Sequence, residues 1–309
     1  MIAEGIKKGP VYAIPSSFNS AEELDTEQTT KYLAFLQENG AKTIMTTAGT
    51  SQFNLLTSEE VRIFNKTCAN NFDGVSILGL PPLSEKLLHK EINWVNENIP
   101  ESSKVCIMLL WPDRYYNDKD IKEFFCEAAH LSKVPVLIHG MFMRNGTGGT
   151  YNFSASLVNE LAKHENIIGL KEENADLSAA YKFCKEIDSS FVQIVAGGSQ
   201  KRFTHLYPAG ADTFLTGIGN LFPQIDEKFF EELTNNNSEK AFDMLKKFEN
   251  KFFDVFMKHG WHKSLRSALK SKELCCHYNR KPFPVSGKVE KYEIDYILNL
   301  IEKRWNEYE

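Results

Sequence analysis

Short apolar runs alternate with longer amphipathic stretches along the first two thirds of this chain, and that alternation leaves few folds open. Runs rich in β-branched residues at 11–14, 43–47, 75–80, 105–111, 134–139, 167–171, 192–196 and 213–216 have the continuity of strands buried on both faces. Between them, residues 26–39, 58–70, 84–96, 119–132, 154–164 and 177–187 repeat apolar side chains at helical spacing. Some helix starts are explicit. Thr57-Ser58-Glu59-Glu60 supplies a capping side chain and early acids, and Asp176 precedes Leu177. Eight strands each followed by a helix is the count of an α/β (β/α)8 TIM barrel with a parallel sheet. A doubly wound open sheet more often carries a Gly-rich fingerprint after its first strand, and Ile14-Pro15-Ser16-Ser17-Phe18 is not one.

From Phe222 onward the strand pattern stops, and 223–235, 238–258, 261–274 and 289–305 read as helices. The expected organisation is a catalytic barrel over 1–222 and a C-terminal helical extension of the same domain over 223–309. A formal charge of -5 gives no basic footprint for nucleic acid. The N-terminal residues lack the apolar core of a secretory signal, and no apolar run approaches the ~18 to 20 residues of a membrane span. The six cysteines are scattered, mostly within apolar segments. They read as reduced, core-packed thiols of a cytoplasmic protein.

Barrels of this kind work at the C-terminal ends of their strands. That restricts attention to 46–52, 111–117, 139–144, 196–200 and Lys171. Lys171 ends the run Ile167-Ile168-Gly169-Leu170, so the strand delivers an amine to the barrel mouth. Burial disfavours the ammonium form of a lysine, and only the neutral amine attacks a ketone to give a Schiff base. The competing reading is a lysine that snorkels to water or pairs with Glu172 or Glu173. The loop Thr46-Thr47-Ala48-Gly49-Thr50-Ser51-Gln52 offers hydroxyls and backbone N–H groups as a carboxylate cradle. A plain strand-to-helix turn uses the same residue types. His259 and His262, and Cys275-Cys276-His277, lack the partner spacing of a metal site. Gly146 to Thr150 lacks the lysine of a phosphate-binding loop.

Several of these segments, in this order, resemble the dihydrodipicolinate synthase and N-acetylneuraminate lyase family of Schiff-base aldolases, over nearly the whole chain. Asn166-Ile167-Ile168-Gly169-Leu170-Lys171-Glu172 is similar to the family's Asn-Ile-x-Gly-Ile-Lys-Glu, whose lysine forms the imine. Ala48-Gly49-Thr50-Ser51-Gln52 with Leu56-Thr57 and Glu60 resembles its Gly-Thr-Thr-Gly-Glu loop and the continuation Leu-Thr-x-x-Glu. Ser16-Ser17-Phe18 is similar to its Thr-Pro-Phe, and 209–220 to its eighth-strand glycine segment. Residues 134–146 match the stretch that carries the family's catalytic tyrosine and a later arginine.

There are departures. His139 stands where the family's tyrosine shuttles a proton, and Gly49 where a threonine links that tyrosine to a relay; a one-residue shift would put Thr46 and Thr47 there instead. The family's Pro-Tyr-Tyr appears as Pro112-Asp113-Arg114-Tyr115-Tyr116, so either Tyr115 or Tyr116 takes the tyrosine's place.

The resemblance implies a metal-free lyase on pyruvate or a related 2-oxo acid, with no cofactor beyond the covalent lysine. Lys171 would form the imine and His139 would move protons. Gly49, Thr50 and Ser51 would hold the carboxylate, Arg144 would meet the distal part of an aldehyde substrate, and Tyr115 and Gly197 would complete the site. It also implies a homotetramer or dimer. A dehydratase of 2-keto sugar acids using the same lysine, or a non-catalytic barrel that binds 2-oxo acids, are the alternatives.

Overall fold

The computed structural model describes residues 2–100, 103–112, 117–141, 143–145 and 149–308. Eight parallel strands follow one another around a barrel in chain order. They are β1 (Val11–Ala13), β2 (Thr43–Met45), β3 (Val75–Gly79), β4 (Val105–Leu109), β5 (Val136–Met141), β6 (Ile167–Glu173), β7 (Val192–Val195) and β8 (Thr213–Phe214). A parallel bridge between Val11 and Leu215 closes the ring, and the Thr216 N–H donates to Val11 O at 2.9 Å.

Side chains alternate across this wall as the pleat demands. Ala13, Met45, Ile77, Met108, Leu137, Val192 and Ile194 form a fully buried interior cluster, joined by Ile6 of the helix Ile2–Ile6. The opposite faces of the strands pack under the surrounding helices. These are α1 (Thr26–Glu38), α2 (Ser58–Asn70), α3 (Glu85–Asn98), α4 (Asp118–Leu131), α5 (Ala155–Leu161), α6 (Leu177–Glu186), α7 (Ser199–Leu206) and α8 (Pro223–Thr234). Their starts follow the sequence. Asp25, Asn117, Ser154 and Asp176 accept from the third backbone N–H of the helix, and Thr57 with Glu60 forms a reciprocal capping box.

After α8 come α9 (Ser238–Met244), α10 (Asn250–His259), α11 (Trp261–Ser271) and α12 (Lys288–Asn306). A π-helical turn over Leu245–Glu249 joins α9 to α10. All six cysteines are free, and only Cys126 is not fully buried. No helix among the described residues is long and apolar enough to cross a membrane.

The strand pattern read from sequence reproduces the barrel, with one instructive difference. β5 and β6 run on to Met141 and Glu173, two residues past the point where each strand was expected to stop. Their last pairs, Gly140 with Glu172 and Met141 with Glu173, stay in register although the residues are no longer all apolar. Beyond them Met143–Asn145 pairs with Gly149–Tyr151 as a short antiparallel hairpin, where sequence suggested only loop. The extra length decides what stands at the barrel mouth.

Candidate active site

β6 is shaped for its lysine from below. A Cβ added at Gly169 would lie 2.5 Å from Val192 O and 2.9 Å from Leu137 Cδ2. Only glycine fits that interior layer. A register shift beside Leu137 then sets His139 directly opposite Lys171 and Met141 opposite Glu173, with the alternation turning Lys171 and Glu173 inward. Glu172 turns outward, fully buried, where Arg202 of α7 meets it at 2.8 Å.

Three ionisable groups converge at the mouth. Lys171 Nζ lies 3.0 Å from His139 Nε2 and 3.0 Å from Glu173 Oε2, and His139 Nε2 lies 2.7 Å from the same oxygen. Lys171 and His139 side chains are 4% and 8% exposed, against 37% for Glu173. Burial, and then the neighbouring lysine charge, lower the imidazole to about 4. Burial acts to raise the Glu173 carboxyl, but the Lys171 charge and the bond with His139 outweigh it and leave the group below the usual carboxylate range. His139 Nδ1 is buried with no hydrogen-bond partner among the described residues.

The β2 loop is built on a different plan. The Thr46 hydroxyl donates to Asn65 Oδ1, the Thr47 hydroxyl donates to the same oxygen at 3.1 Å, and Asn65 Nδ2 donates to Gly79 O at 3.1 Å. Thr47 is held at φ 50° in this knot, a backbone state that non-glycine residues rarely adopt. The Ser51 hydroxyl donates to Ile14 O at 2.5 Å and is fully buried. Sequence placed Ser51 on the substrate carboxylate; the structure spends both its hydroxyl and its N–H, the latter on Ala48 O at 2.9 Å. Gly49 and Thr50 do reach the cavity. A Cβ at Gly49 would meet nothing nearer than His262 Cε1 at 4.0 Å, so packing does not require glycine there.

The cavity over Lys171 measures about 530 Å³. Its wall holds Gly49 and Thr50 from the β2 loop, Lys171 and Glu173 from β6, Gly197 just before α7, Lys201 in its first turn, and Thr216 after β8. Helices α10 and α11 roof it with Phe253, Asp254, Trp261 and His262. Gly197 sits at φ +72°, a turn that favours glycine. Glu249 completes the side next to α7. Fully buried, it accepts from the Gln200 and Lys201 N–H groups at 2.8 Å each, a carboxylate on a helix N-terminus. Burial, reinforced by Asp226, pushes its carboxyl up to about 8.

Of the residues singled out in sequence, Lys171, Gly49, Thr50 and Gly197 share this cavity, and His139 stands behind Lys171 outside its wall. Tyr115 and Tyr116 lie outside the described residues, and Arg144 is placed only as backbone in the hairpin. Sequence reading treated Glu173 merely as an ion-pair partner and did not anticipate Glu249 or the roof. The roof residues are remote in the chain and carry no local pattern; the spacing of His259 and His262 was the sole sign there.

Comparison with known proteins places this geometry. The chain matches the model of the Dihydrodipicolinate synthetase family over residues 7–300. It is 24% identical to a 4-hydroxy-tetrahydrodipicolinate synthase of Karelsulcia muelleri over 297 residues, 92% of this chain and 95% of that protein. The crystal structure of dihydrodipicolinate synthase from Oceanobacillus iheyensis superposes with a TM-score of 0.80 at 21% identity, covering 99% of each chain. That of N-acetylneuraminate lyase from Fusobacterium nucleatum gives 0.82 at 14% identity, covering 95% of this chain and 98% of the other. A match that spans the barrel and its helical extension alike means that this chain belongs to the dihydrodipicolinate synthetase family.

Proposed function

We propose that the protein is a Schiff-base-forming carbon–carbon lyase, a class I aldolase acting on pyruvate or a related small 2-oxo acid. The observation that carries this reading is Lys171. It is a nearly buried amine at the C-terminal mouth of β6, open to a cavity and flanked by two groups able to move protons. Neutral Lys171 attacks the C2 ketone, and loss of water leaves an imine. The protonated imine is the electron sink that lets the C3–C4 bond break, or lets a C3 enamine add to an aldehyde.

Gly49 and Thr50 are assigned to the 2-oxo acid's carboxylate, because they face the cavity while the Thr46, Thr47 and Ser51 hydroxyls are engaged elsewhere. Gly197 borders the space for the second substrate, and Arg144 and Tyr115 are assigned to it by family resemblance alone. Proton transfer is assigned to the polar groups beside Lys171, where His139 stands at the place of the family's tyrosine and Glu173 faces the cavity. The chemistry calls on no metal or cofactor. A cytoplasmic setting and a homotetrameric or dimeric assembly rest on the family likeness.

The test is turnover. Purified protein should release pyruvate from at least one member of a panel of 4-hydroxy-2-oxo acids, and borohydride added together with pyruvate should inactivate it permanently. Absence of turnover across the panel, with activity untouched by borohydride, would contradict the reading.

A further inference from the structure

An imidazole relays a proton by receiving it on one nitrogen and releasing it from the other. His139 cannot work that way. Its Nδ1 is buried without a hydrogen-bond partner among the described residues, which leaves Nε2 as the working atom, and among those residues that atom meets Lys171 Nζ and Glu173 Oε2. The imidazole is also absent from the cavity wall, whereas Lys171 and Glu173 both line it. Of the three groups, only Glu173 combines substantial exposure with contact to the reactive nitrogen. From this geometry we infer that Glu173 is the acid–base catalyst of the site, exchanging protons with substrate and solvent, and that His139 is a positioning residue that holds its carboxylate.

This assignment rests on the Schiff-base reading and gives one oxygen, Glu173 Oε2, the proton transfers of both imine and enamine formation. The carboxylate first takes a proton from Lys171 Nζ, 3.0 Å away, and frees the electron pair that attacks the ketone. It hands that proton to the carbinolamine oxygen, takes a second proton from the nitrogen and delivers it to the resulting hydroxyl, which leaves as water while the nitrogen lone pair closes the C=N bond. It then removes a C3 proton from the iminium; the C–H pair becomes the C2=C3 bond and the C=N π pair moves onto nitrogen. In the cleavage direction it takes the C4 hydroxyl proton instead, the C3–C4 pair flows into the same enamine, and the aldehyde departs. Each step returns the carboxyl to its starting state or hands one proton onward, so nothing further is consumed. The imidazole, lowered to about 4 by burial and by Lys171, stays neutral near pH 7 and holds Glu173 Oε2 at 2.7 Å.

Imine formation and C3 proton removal have separate readouts. Pyruvate methyl C–H exchange in D2O, followed by proton NMR, reports enamine formation with no aldehyde present. Borohydride trapping reports the imine. Wild-type protein should do both. Glu173→Gln should still be trapped with pyruvate on long incubation, more slowly than wild type because the same carboxylate serves imine formation, and should exchange about 100-fold more slowly or worse, in the range that loss of a general base gives. Formate should restore exchange to Glu173→Ala. His139→Gln should lose less than Glu173→Gln and gain nothing from formate. If Glu173→Gln fails to fold, Glu173→Asp keeps the charge one methylene further back and should lose exchange while trapping persists. Trapping with unimpaired exchange in the Glu173 variants, or imidazole rescue of His139→Ala without formate rescue of Glu173→Ala, would overturn the assignment alone. A wild-type protein that cannot be trapped would overturn the Schiff-base reading beneath it.

Discussion

Glu172 and Glu173 are neighbours on β6, yet they lie on opposite sides of the barrel wall and in opposite situations. Glu172 is sealed between strand and helix, its two oxygens taken by Arg202 at 2.8 Å and by the Asn174 N–H at 2.7 Å. Glu173 faces the cavity, shares one oxygen between Lys171 and His139, and remains 37% exposed. The same contrast separates the β2 loop, where Asn65 absorbs two threonine hydroxyls, from the β5–β6 mouth, where polar groups meet each other and open space. Where polar groups are mutually satisfied they hold the fold. Where they converge on a cavity with capacity left over, they are available for chemistry.

Substitutions should split along that line. The largest effect is expected at Lys171, where Lys171→Met removes the nucleophile and should take aldol cleavage to the assay background while the protein still folds. Next is the outer face. Glu172→Ala leaves the Arg202 guanidinium buried without its carboxylate, and breaking such a pair costs about 3 to 5 kcal/mol, to be read by urea unfolding. Glu173→Gln, one residue on, should change unfolding far less and activity far more. An equal stability loss at both positions would erase the distinction between the two faces.

Asn65→Ala comes after these. It strands the Thr46 and Thr47 hydroxyls and the Gly79 carbonyl, and unsatisfied buried groups of this kind should cost roughly 2 to 4 kcal/mol. Pyruvate trapping at Lys171 should survive in the protein that remains folded. Loss of trapping in stable Asn65→Ala protein would mean that the β2 knot belongs to the chemistry after all.

The smallest effect is a pH dependence. His139 is lowered from the ordinary 6.5 to about 4 by burial and by Lys171. Below pH 6.5 the unfolded chain therefore binds a proton that the folded chain refuses. This contribution to stability is full above 6.5 and is lost as pH falls towards 4, by about 1 to 2 kcal/mol between pH 6.5 and 5. His139→Gln should show a correspondingly flatter profile over that window. An identical profile in both proteins would place the imidazole in a less buried setting than the structure does.

Much of the barrel was legible in the sequence because parallel strands are buried on both faces and their apolar runs are continuous. Lys171 stood out for the same reason, as a charge that ends such a run. The mouth was harder to read. β5 and β6 extend through His139, Gly140, Glu172 and Glu173, whose pairing comes from register rather than hydrophobicity. Ser51 looked like a substrate contact because a hydroxyl in sequence does not reveal its acceptor, here Ile14 O. Glu249 and Trp261 reach the cavity from helices far down the chain, and Glu249 meets Gln200 across 49 positions. Periodicity within one element cannot report contacts of that kind. The roles of His139 and Glu173 depended on which imidazole nitrogen is walled in, a fact only the folded chain supplies.

Peptide mapping after pyruvate and borohydride treatment tests the central claim most directly. The account predicts one reduced pyruvate adduct, on the peptide carrying Lys171, with the remaining lysines unmodified and no adduct in Lys171→Met. An adduct on any other lysine, or none on Lys171 while aldol cleavage proceeds, would contradict it.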